Sequence, residues 1–171
     1  MQNTPRCILA IDPSLSSTGI ALFVNEDTNI PICKRIQTTQ KMGDTDDRIL
    51  VICNMLNEIA LIYEISDVIF EDGYIGPSPK TGIQLAMLRG ALCYMFKSSG
   101  ISVVHMQPSE IRKVFGLKGN ATKEEVALKV QGMYPLLKSQ IGEYSDKNNK
   151  KKTSDMYDAV SIGVAYINMQ S

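Results

Sequence analysis

Short apolar runs separated by polar turns occupy the N-terminal part of the chain and predict three strands. They span residues 7–11, 17–24 and 30–39, and Asp12-Pro13 ends the first run. Because the connections between the runs are short, we expect the three strands to form an antiparallel meander.

A helical spacing of apolar residues is first seen in residues 44–65, which are predicted to form a long helix. Three further elements follow, a short buried strand, a second helix and another strand, at residues 67–70, 82–97 and 101–106. Pro108 opens a short helical turn, and Thr122 with Glu125 forms the capping-box pattern of a helix start. The polar, lysine-rich residues 145–155 predict a loop, and residues 154–167 predict a buried final helix.

This order of elements predicts an α/β domain with a mixed sheet and helices on both faces. At 171 residues the chain is long enough for one such domain over residues 1–171, and no repeat or linker divides it. In such a sheet the strands at residues 7–11 and 67–70 can lie side by side and parallel. Asp12 and Glu71 would then leave the sheet at the same end.

Composition narrows the class of protein. The chain is 44% hydrophobic and 21% charged, and no apolar run approaches the ~20 residues of a membrane span. Its N-terminus lacks the apolar region of a signal peptide, and its four cysteines fit neither a zinc pattern nor a disulfide framework. We therefore expect a cytoplasmic protein with buried thiols, no membrane partner, and a structural role for the single histidine, His105.

Charge is unevenly distributed, although the formal net charge is zero. Residues 110–152 hold ten Lys or Arg and five Asp or Glu, a local charge of +5 that leaves −5 on the remainder. Such polarity favours a basic face that binds phosphate. Solvated helices with one lysine-rich loop explain the same pattern.

Acidic residues stand where buried elements begin or end. The stretch VIFEDGYIG runs from an apolar strand into Glu71 and Asp72, and Asp12 ends the first strand. Asp155 and Asp158 are three positions apart, on one face at the start of an apolar helix. Singly, each acid has a structural explanation, such as a turn, a solvent-facing strand end or a partner of the helix dipole.

Taken together, the acids predict a metal site. Like charges about 4 Å apart cost on the order of 4 kcal/mol per pair at an effective dielectric near 20, so converging carboxylates need protons or cations. Oxygen ligands without histidine or cysteine favour Mg²⁺ or Mn²⁺ over zinc. Two such ions about 4 Å apart support in-line attack of water on a phosphodiester, so a nuclease is the leading hypothesis.

Three segments resemble signatures of the RuvC family of Holliday-junction resolvases, in the family's order and at similar spacing. They are ILAIDPSLSSTGIALF, VIFEDGYIGPSPKTGIQLAMLRGAL and SDMYDAVSIGVAYI. The resemblance implies an RNase H-like fold with a five-stranded mixed sheet. It also implies a homodimeric, divalent-metal-dependent endonuclease that resolves four-way DNA junctions by paired symmetric nicks. Two metal ions would be held by Asp12, Glu71, Asp155 and Asp158, whereas Asp72 has no counterpart in the family.

The resemblance further implies DNA-binding residues. Tyr74 falls where the family has an aromatic near the junction centre, although a tyrosine that packs its loop explains it equally. The segment EIRKVFGLKGNATKEEV would lie near the scissile phosphate, with Lys113 and Lys123 as the best candidates and Arg112 and Lys118 behind them. Lys123 is also a candidate catalytic residue. Four lysines before the final helix are expected to bind the DNA backbone, namely Lys147, Lys150, Lys151 and Lys152.

Two departures from the family and three alternative functions stay open. The segment from Lys138 to Thr153 is longer and richer in lysine than is typical of the bacterial enzymes. Ser14 replaces a glycine of the family, which puts the turn in question and suggests a phage-encoded or otherwise divergent member. A broader nuclease for branched DNA or RNA–DNA hybrids would use the same ligands. A non-catalytic protein that only binds branched DNA is a further alternative, but DNA binding alone would not require four acids that repel one another. A sugar-kinase or actin-like ATPase fragment, suggested by DPSLSSTG, needs a second domain of similar size.

Overall fold

The computed structural model describes residues 6–24, 30–72, 78–142 and 150–170, and of residues 150–153 only the backbone. Within these ranges the strands are β1 (Cys7–Asp12), β2 (Ser17–Val24), β3 (Ile32–Gln37), β4 (Ile65–Glu71) and β5 (Ser102–Met106). The helices are α1 (Thr45–Ile62), α2 (Pro79–Ser98), α3 (Pro108–Val114), α4 (Lys123–Met133), α5 (Leu137–Ile141) and α6 (Lys150–Gln170). None of the helices in the described ranges is long and apolar enough to cross a membrane.

The five described strands form one mixed sheet in the order β3-β2-β1-β4-β5. β1, β2 and β3 pair antiparallel as consecutive neighbours, which confirms the predicted meander. β4 pairs in parallel with β1 on one side and with β5 on the other. Since Ile11 faces Phe70 in this register, Asp12 and Glu71 are the next residues of adjacent strands and leave the sheet at the same end.

Side chains of the sheet alternate between two faces, and each face meets its own helices. Ile8 and Ala10 of β1 belong to an apolar cluster with residues of α3, α4, α5 and α6. Leu9 and Ile11 belong to a second cluster with residues of α1 and α2. The predicted arrangement, a mixed sheet with helices on both faces, is confirmed.

The turn between β1 and β2 closes without a glycine at position 14. The Ser14 N–H donates to Thr18 Oγ1 at 3.3 Å, and Thr18 Oγ1 donates to the Ser14 carbonyl oxygen at 2.7 Å. Among the described residues, Glu64 is the one non-glycine with a positive φ, so Ser14 is not in the left-handed region. The serine therefore fits this turn without backbone strain.

Two helices begin earlier than the sequence predicts. α2 begins at Pro79 rather than at residue 82, because proline suits the first helical position and the Ser78 hydroxyl caps it by accepting the Thr81 N–H at 3.4 Å. α6 begins at Lys150, so the predicted loop over residues 145–155 is wrong for residues 150–155. Lysine has a good helix propensity, but a polar first turn has no apolar spacing to reveal it.

The prediction of buried thiols is right for two of the four cysteines. Cys7 and Cys33 are buried, whereas Cys53 and Cys93 are only half-buried, and all four are free. The half-buried pair lies on α1 and α2, where an apolar run contains residues on the flank of the helix as well as on its buried face.

Candidate active site

Strand alternation carries two acids to the same face of the sheet. Asp12 follows Ile8 and Ala10 at two-residue spacing, and Glu71 follows Ile69 in the same way. These three apolar residues pack in the cluster that contains α6. Both acids therefore extend toward the end of the sheet that α6 covers.

Helix α6 lies close to β2 because two glycines leave room for it. A Cβ built at Gly19, the β2 partner of Asp12, would overlap the backbone carbonyl oxygen of Asp155. A Cβ built at Gly163 of α6 would overlap the ring of Phe23 on β2. The acidic start of α6 is thus held against the strand pair that ends in Asp12.

Asp155 receives a hydroxyl donor on each carboxylate oxygen. Ser17 Oγ, at the start of β2, donates to Asp155 Oδ2 at 2.5 Å, and Ser154 Oγ donates to Oδ1 at 3.3 Å. Sequence reasoning did not single out Ser17. The sequence feature that could have indicated Ser17 is the run SSTG shortly after Asp12-Pro13. The strand register, however, decides which serine of that run reaches α6.

Asp158 of α6 forms an ion pair with Lys123. The Nζ to Oδ2 distance is 2.5 Å, and the side chains are 11% exposed for Asp158 and 58% for Lys123. Lys123 is the first residue of α4, whose predicted capping box between Thr122 and Glu125 is present. Tyr157 ties α6 to the same region, since its hydroxyl donates to the Gly142 carbonyl oxygen at 2.8 Å.

The acids of this site repel one another. Burial raises the pKa of Asp12 well above its usual range, and the charges of Asp158, Glu71 and Asp155 raise it further, while Lys123 acts in the opposite direction. The pKa values of Glu71 and Asp158 are raised too, in both cases chiefly by burial. The site therefore holds more negative charge than Lys123 compensates.

Lys123 keeps its proton in this environment. Burial alone would lower the pKa of its ammonium, but the carboxylates of Asp158 and Asp12 outweigh burial and raise that pKa above its usual value. Lys123 is consequently a fixed cation at neutral pH.

The acidic side chains of the site fit a hard divalent cation, although they are not grouped into a complete set of metal ligands. Among the described residues, no three His, Cys, Asp or Glu side chains are grouped closely enough to hold a metal ion. The site nevertheless supplies only carboxylate oxygens, as Mg²⁺ and Mn²⁺ prefer. Burial first, and repulsion between the acids second, raise the pKa values of Asp12 and Glu71, and the Lys123 ammonium pairs with Asp158. The residues that would hold the cations are Asp12, Glu71, Asp155 and Asp158.

A family model described as crossover junction endodeoxyribonuclease RuvC matches residues 8–166. The chain belongs to the RuvC family. The RuvC protein of Rhodopirellula baltica is 28% identical over 127 residues, covering 73% of this chain and 71% of that protein. The RuvC protein of Helicobacter pylori (strain ATCC 700392 / 26695) is 26% identical over 163 residues, covering 93% and 94%. The predicted family and its enzyme class, endodeoxyribonuclease, are confirmed.

Two solved structures confirm the fold. T. thermophilus RuvC, in complex with a Holliday junction substrate, matches with a TM-score of 0.75 at 17% identity, covering 96% of this chain and 94% of that chain. Fowlpox virus resolvase, in complex with Holliday junction DNA, matches with a TM-score of 0.54 at 16% identity, covering 96% and 98%. The fold of this RuvC-family chain is therefore RNase H-like, as predicted.

Of the predicted DNA-contacting residues, two lie at the acids. Arg112 and Lys123 line a small cavity, and the acids that share its wall are Glu71 and Asp158. Lys113 was ranked ahead of Arg112, but the structure leaves Lys113 exposed on α3, and Lys118 is exposed as well. Arg112 reaches the cavity because α3 packs through the adjacent Ile111. DNA contacts by Lys113 and Lys118 stay predictions.

Five further predicted DNA contacts stay predictions. Tyr74 and Lys147 lie outside the described residues. Lys150, Lys151 and Lys152 form the first turn of α6, where the structure describes the backbone alone.

Arg89 of α2 was not singled out by sequence reasoning, yet its charge acts on the site. Burial lowers the pKa of the guanidinium, while the carboxylates of Asp72, Glu71 and Asp12 act to raise it. Its Nε is buried and has no hydrogen-bond partner among the described residues. The sequence feature that could have indicated Arg89 is its place directly after Leu88, a fully buried position of α2.

Asp72, the second acid of VIFEDGYIG, has partners of its own. Its Oδ2 accepts from Gln107 Nε2 at 2.8 Å, and its Oδ1 lies 3.2 Å from His105 Nδ1. Alternation along the chain turns Asp72 away from Glu71 and toward the side of α2. The two adjacent acids therefore lie in different environments and contact different residues.

Proposed function

We propose that this RuvC-family protein resolves four-way DNA junctions by paired symmetric nicks, with two divalent cations held by Asp12, Glu71, Asp155 and Asp158. The observation that carries the proposal is the convergence of four acids at one end of the sheet, three of them with raised pKa values. If the acids served stability alone, replacing some of them by neutral residues would be favourable, because it would remove the repulsion between their carboxylates. The R. baltica and H. pylori relatives, both named crossover junction endodeoxyribonucleases, support the substrate class.

The protein's own contribution to the chemistry is orientation and charge. Divalent cations held by these four acids would supply an acidified water and would neutralise charge on the leaving oxygen. Ser17 fixes the direction of the Asp155 carboxylate, and Gly19 lets that carboxylate approach Asp12. Such positioning matters because the reacting groups must meet in a narrow range of geometry.

Lys123 would act on the phosphate as a cation. In the metal-free protein the neighbouring carboxylates raise its pKa, so the ammonium is charged at neutral pH. Its ammonium and the Arg112 guanidinium share one cavity with Glu71 and Asp158. Both cations would stabilise negative charge that develops on a phosphate bound at the acids.

The path of DNA beyond the acids follows the basic part of the chain. Residues 110–152 carry a local charge of +5, and Lys113 and Lys118 are exposed within it. The lysines at the start of α6 lie about one helical turn before Asp155 in the chain. We propose that this segment binds the DNA backbone and that Tyr74 stacks on a base at the junction centre.

A second copy of the chain would supply the second active site. Helix α2 exposes an apolar stripe at helical spacing, with exposed fractions of 62% for Ile83, 43% for Met87 and 77% for Tyr94. Met87 also lines an apolar groove between α1 and α2. A two-fold dimer that buries this stripe would give two equivalent sites, as paired nicks require.

The test compares three substrates of matched sequence in Mg²⁺ and in Mn²⁺: a four-way junction, a linear duplex and an RNA–DNA hybrid. We expect symmetric nicks in opposite strands of the junction and little cleavage of the others. Similar cleavage of the hybrid or the duplex would favour a broader nuclease. Junction binding without cleavage in either metal would favour a binding protein.

The dimer has its own test. Ile83→Asp should yield monomers in analytical ultracentrifugation and single, uncoordinated nicks on a junction. Leu61→Asp makes the same chemical change at a 71% exposed position of α1, outside the stripe, and should leave the dimer intact. Dimers in both variants would contradict the assignment of this interface.

A further inference from the structure

Three side chains form a hydrogen-bonded chain on the α2 side of the sheet, apart from the four acids. Cys93 Sγ of α2 lies 3.4 Å from His105 Nε2, and His105 Nδ1 lies 3.2 Å from Asp72 Oδ1. Gln107 Nε2 donates to the other oxygen of Asp72 at 2.8 Å. A thiol, an imidazole and a carboxylate are thus joined in the order nucleophile, base and orienting group.

The contacts favour one tautomer of His105. A carboxylate at Nδ1 calls for a proton on that nitrogen, so Nε2 of the neutral ring is an acceptor. The Cys93 thiol is the group that lies at that acceptor, and it can donate its proton there. Asp72 is itself held by Gln107, so the imidazole has a fixed direction.

The surroundings hold the chain of contacts in place but leave it accessible. His105 belongs to β5, and its ring lies 5.6 Å from that of Phe70, centroid to centroid. The side chains of His105 and Asp72 are 36% and 40% exposed, and Cys93 is half-buried. A small molecule can therefore reach the thiol without unfolding of the sheet.

The thiol needs a base in order to react. Burial raises the pKa of the Cys93 thiol, against the opposing charges of Lys97 and Arg89. At neutral pH the thiol thus keeps its proton, and attack on an electrophile requires that the proton leave during the step. His105 Nε2 is placed to accept it.

We propose that Cys93, His105 and Asp72 form a second reactive site, at which Cys93 exchanges with small-molecule disulfides. The Cys93 sulfur attacks one sulfur of the disulfide as its proton passes to His105 Nε2. The disulfide bond breaks, and the leaving sulfur takes that proton back from His105. The products are a mixed disulfide on Cys93, one free thiol and a neutral imidazole.

Cys53 provides an internal control in the same chain. It is also half-buried on a helix, and burial raises its pKa too. No hydrogen bond to an imidazole is available to it, because the one histidine of the chain lies at Cys93. If Cys93 reacts faster than Cys53, the difference is therefore not explained by exposure of the thiol alone.

The experiment treats the full-length protein with oxidised glutathione at pH 7 and follows each cysteine by peptide mass spectrometry. We expect Cys93 to form the mixed disulfide at least about tenfold faster than Cys53, a modest share of what a positioned base contributes. His105→Gln should remove this excess and leave the Cys53 rate unchanged, and Asp72→Asn should reduce it in part.

Equal rates at Cys93 and Cys53 in the wild type would overturn the proposal, and this comparison needs no variant to fold. An unchanged Cys93 rate in folded His105→Gln, with folding checked by circular dichroism, would overturn it as well. Neither outcome depends on whether the protein cleaves DNA.

Discussion

The substitution Asp12→Asn removes one carboxylate from the end of β1 and nearly keeps the shape of the side chain. In the metal-free protein that carboxylate is repelled by Asp158, Glu71 and Asp155, and Lys123 offsets only part of the repulsion. We therefore expect the metal-free variant to be more stable than the metal-free wild type, and we expect the same change to abolish cleavage.

The size of the effect follows from the charges. Two carboxylates about 6 Å apart cost roughly 3 kcal/mol at an effective dielectric near 20. Since Lys123 offsets about one such pair and proton uptake relieves part of the rest, the variant should gain about 2 kcal/mol at pH 7. For 171 residues this corresponds to a rise in Tm of roughly 4–8 °C.

The gain should depend on pH in a defined direction. The native pKa of Asp12 is raised above its ordinary value of 3.8, so its proton stabilises the fold below that value. This contribution is lost as the pH rises through the native pKa. The metal-free wild type should hence lose stability as the pH rises, and its difference from Asp12→Asn should vanish near pH 4.

Thermal unfolding in EDTA, followed by circular dichroism between pH 4 and pH 8, measures this difference. Glu58→Gln serves as the control, because Glu58 is an exposed acid on α1 and its neutralisation should change Tm little. A metal-free Asp12→Asn protein that is no more stable than the wild type at pH 7 would refute the electrostatic account.

Three further substitutions test how the acids are held. Gly19→Ala should lower the free energy of unfolding by about 1–3 kcal/mol and weaken Mg²⁺ binding, because the added methyl overlaps the Asp155 backbone. An unchanged Mg²⁺ affinity in calorimetry would contradict this. Lys123→Met should destabilise the metal-free protein by about 1 kcal/mol in urea titration, a modest value because the pair with Asp158 is half-exposed, and added Mg²⁺ should restore part of the loss. Ser17→Ala should lower Mg²⁺ affinity about tenfold with little change in Tm, whereas Ser17→Thr should keep the affinity.

The sequence was sufficient to predict the sheet because its strands are short apolar runs between clear turns. The run that ends at Asp12 and the run that ends at Glu71 do lie side by side in parallel. Strand-end positions follow directly from such a pairing, since neighbouring parallel strands end at the same edge. The spacing of Asp155 and Asp158 likewise defined one face of a helix before its position was known.

Contacts that depend on the phase of a helix or the register of a strand could not be predicted. Arg112 and Lys113 are neighbours in the sequence, and only the packing of α3 decides which of them reaches the acids. Ser17 reaches Asp155 because β2 pairs with β1 in one register. The helical start at Lys150 was missed because a polar turn gains its stability from the buried turns that follow it.

The adjacent acids Glu71 and Asp72 show both the strength and the limit of the pattern. Alternation implies that they face opposite ways, and the structure places Asp72 with His105 and Gln107. What the pattern did not contain was Cys93, which comes from α2 and completes the chain of contacts from the far side of His105. A contact between three separate elements has no local signature.

Glu71→Gln on a synthetic four-way junction shows whether the converging acids cleave DNA junctions with a divalent metal. Wild type, Glu71→Gln and the exposed-acid control Glu58→Gln would each be scored for junction binding and for paired nicking, with Mg²⁺ and with EDTA. We expect that nicking requires Mg²⁺, disappears in Glu71→Gln and persists in Glu58→Gln, while all three proteins bind the junction. Nicking by Glu71→Gln at the wild-type rate, or by the wild type in EDTA, would contradict it.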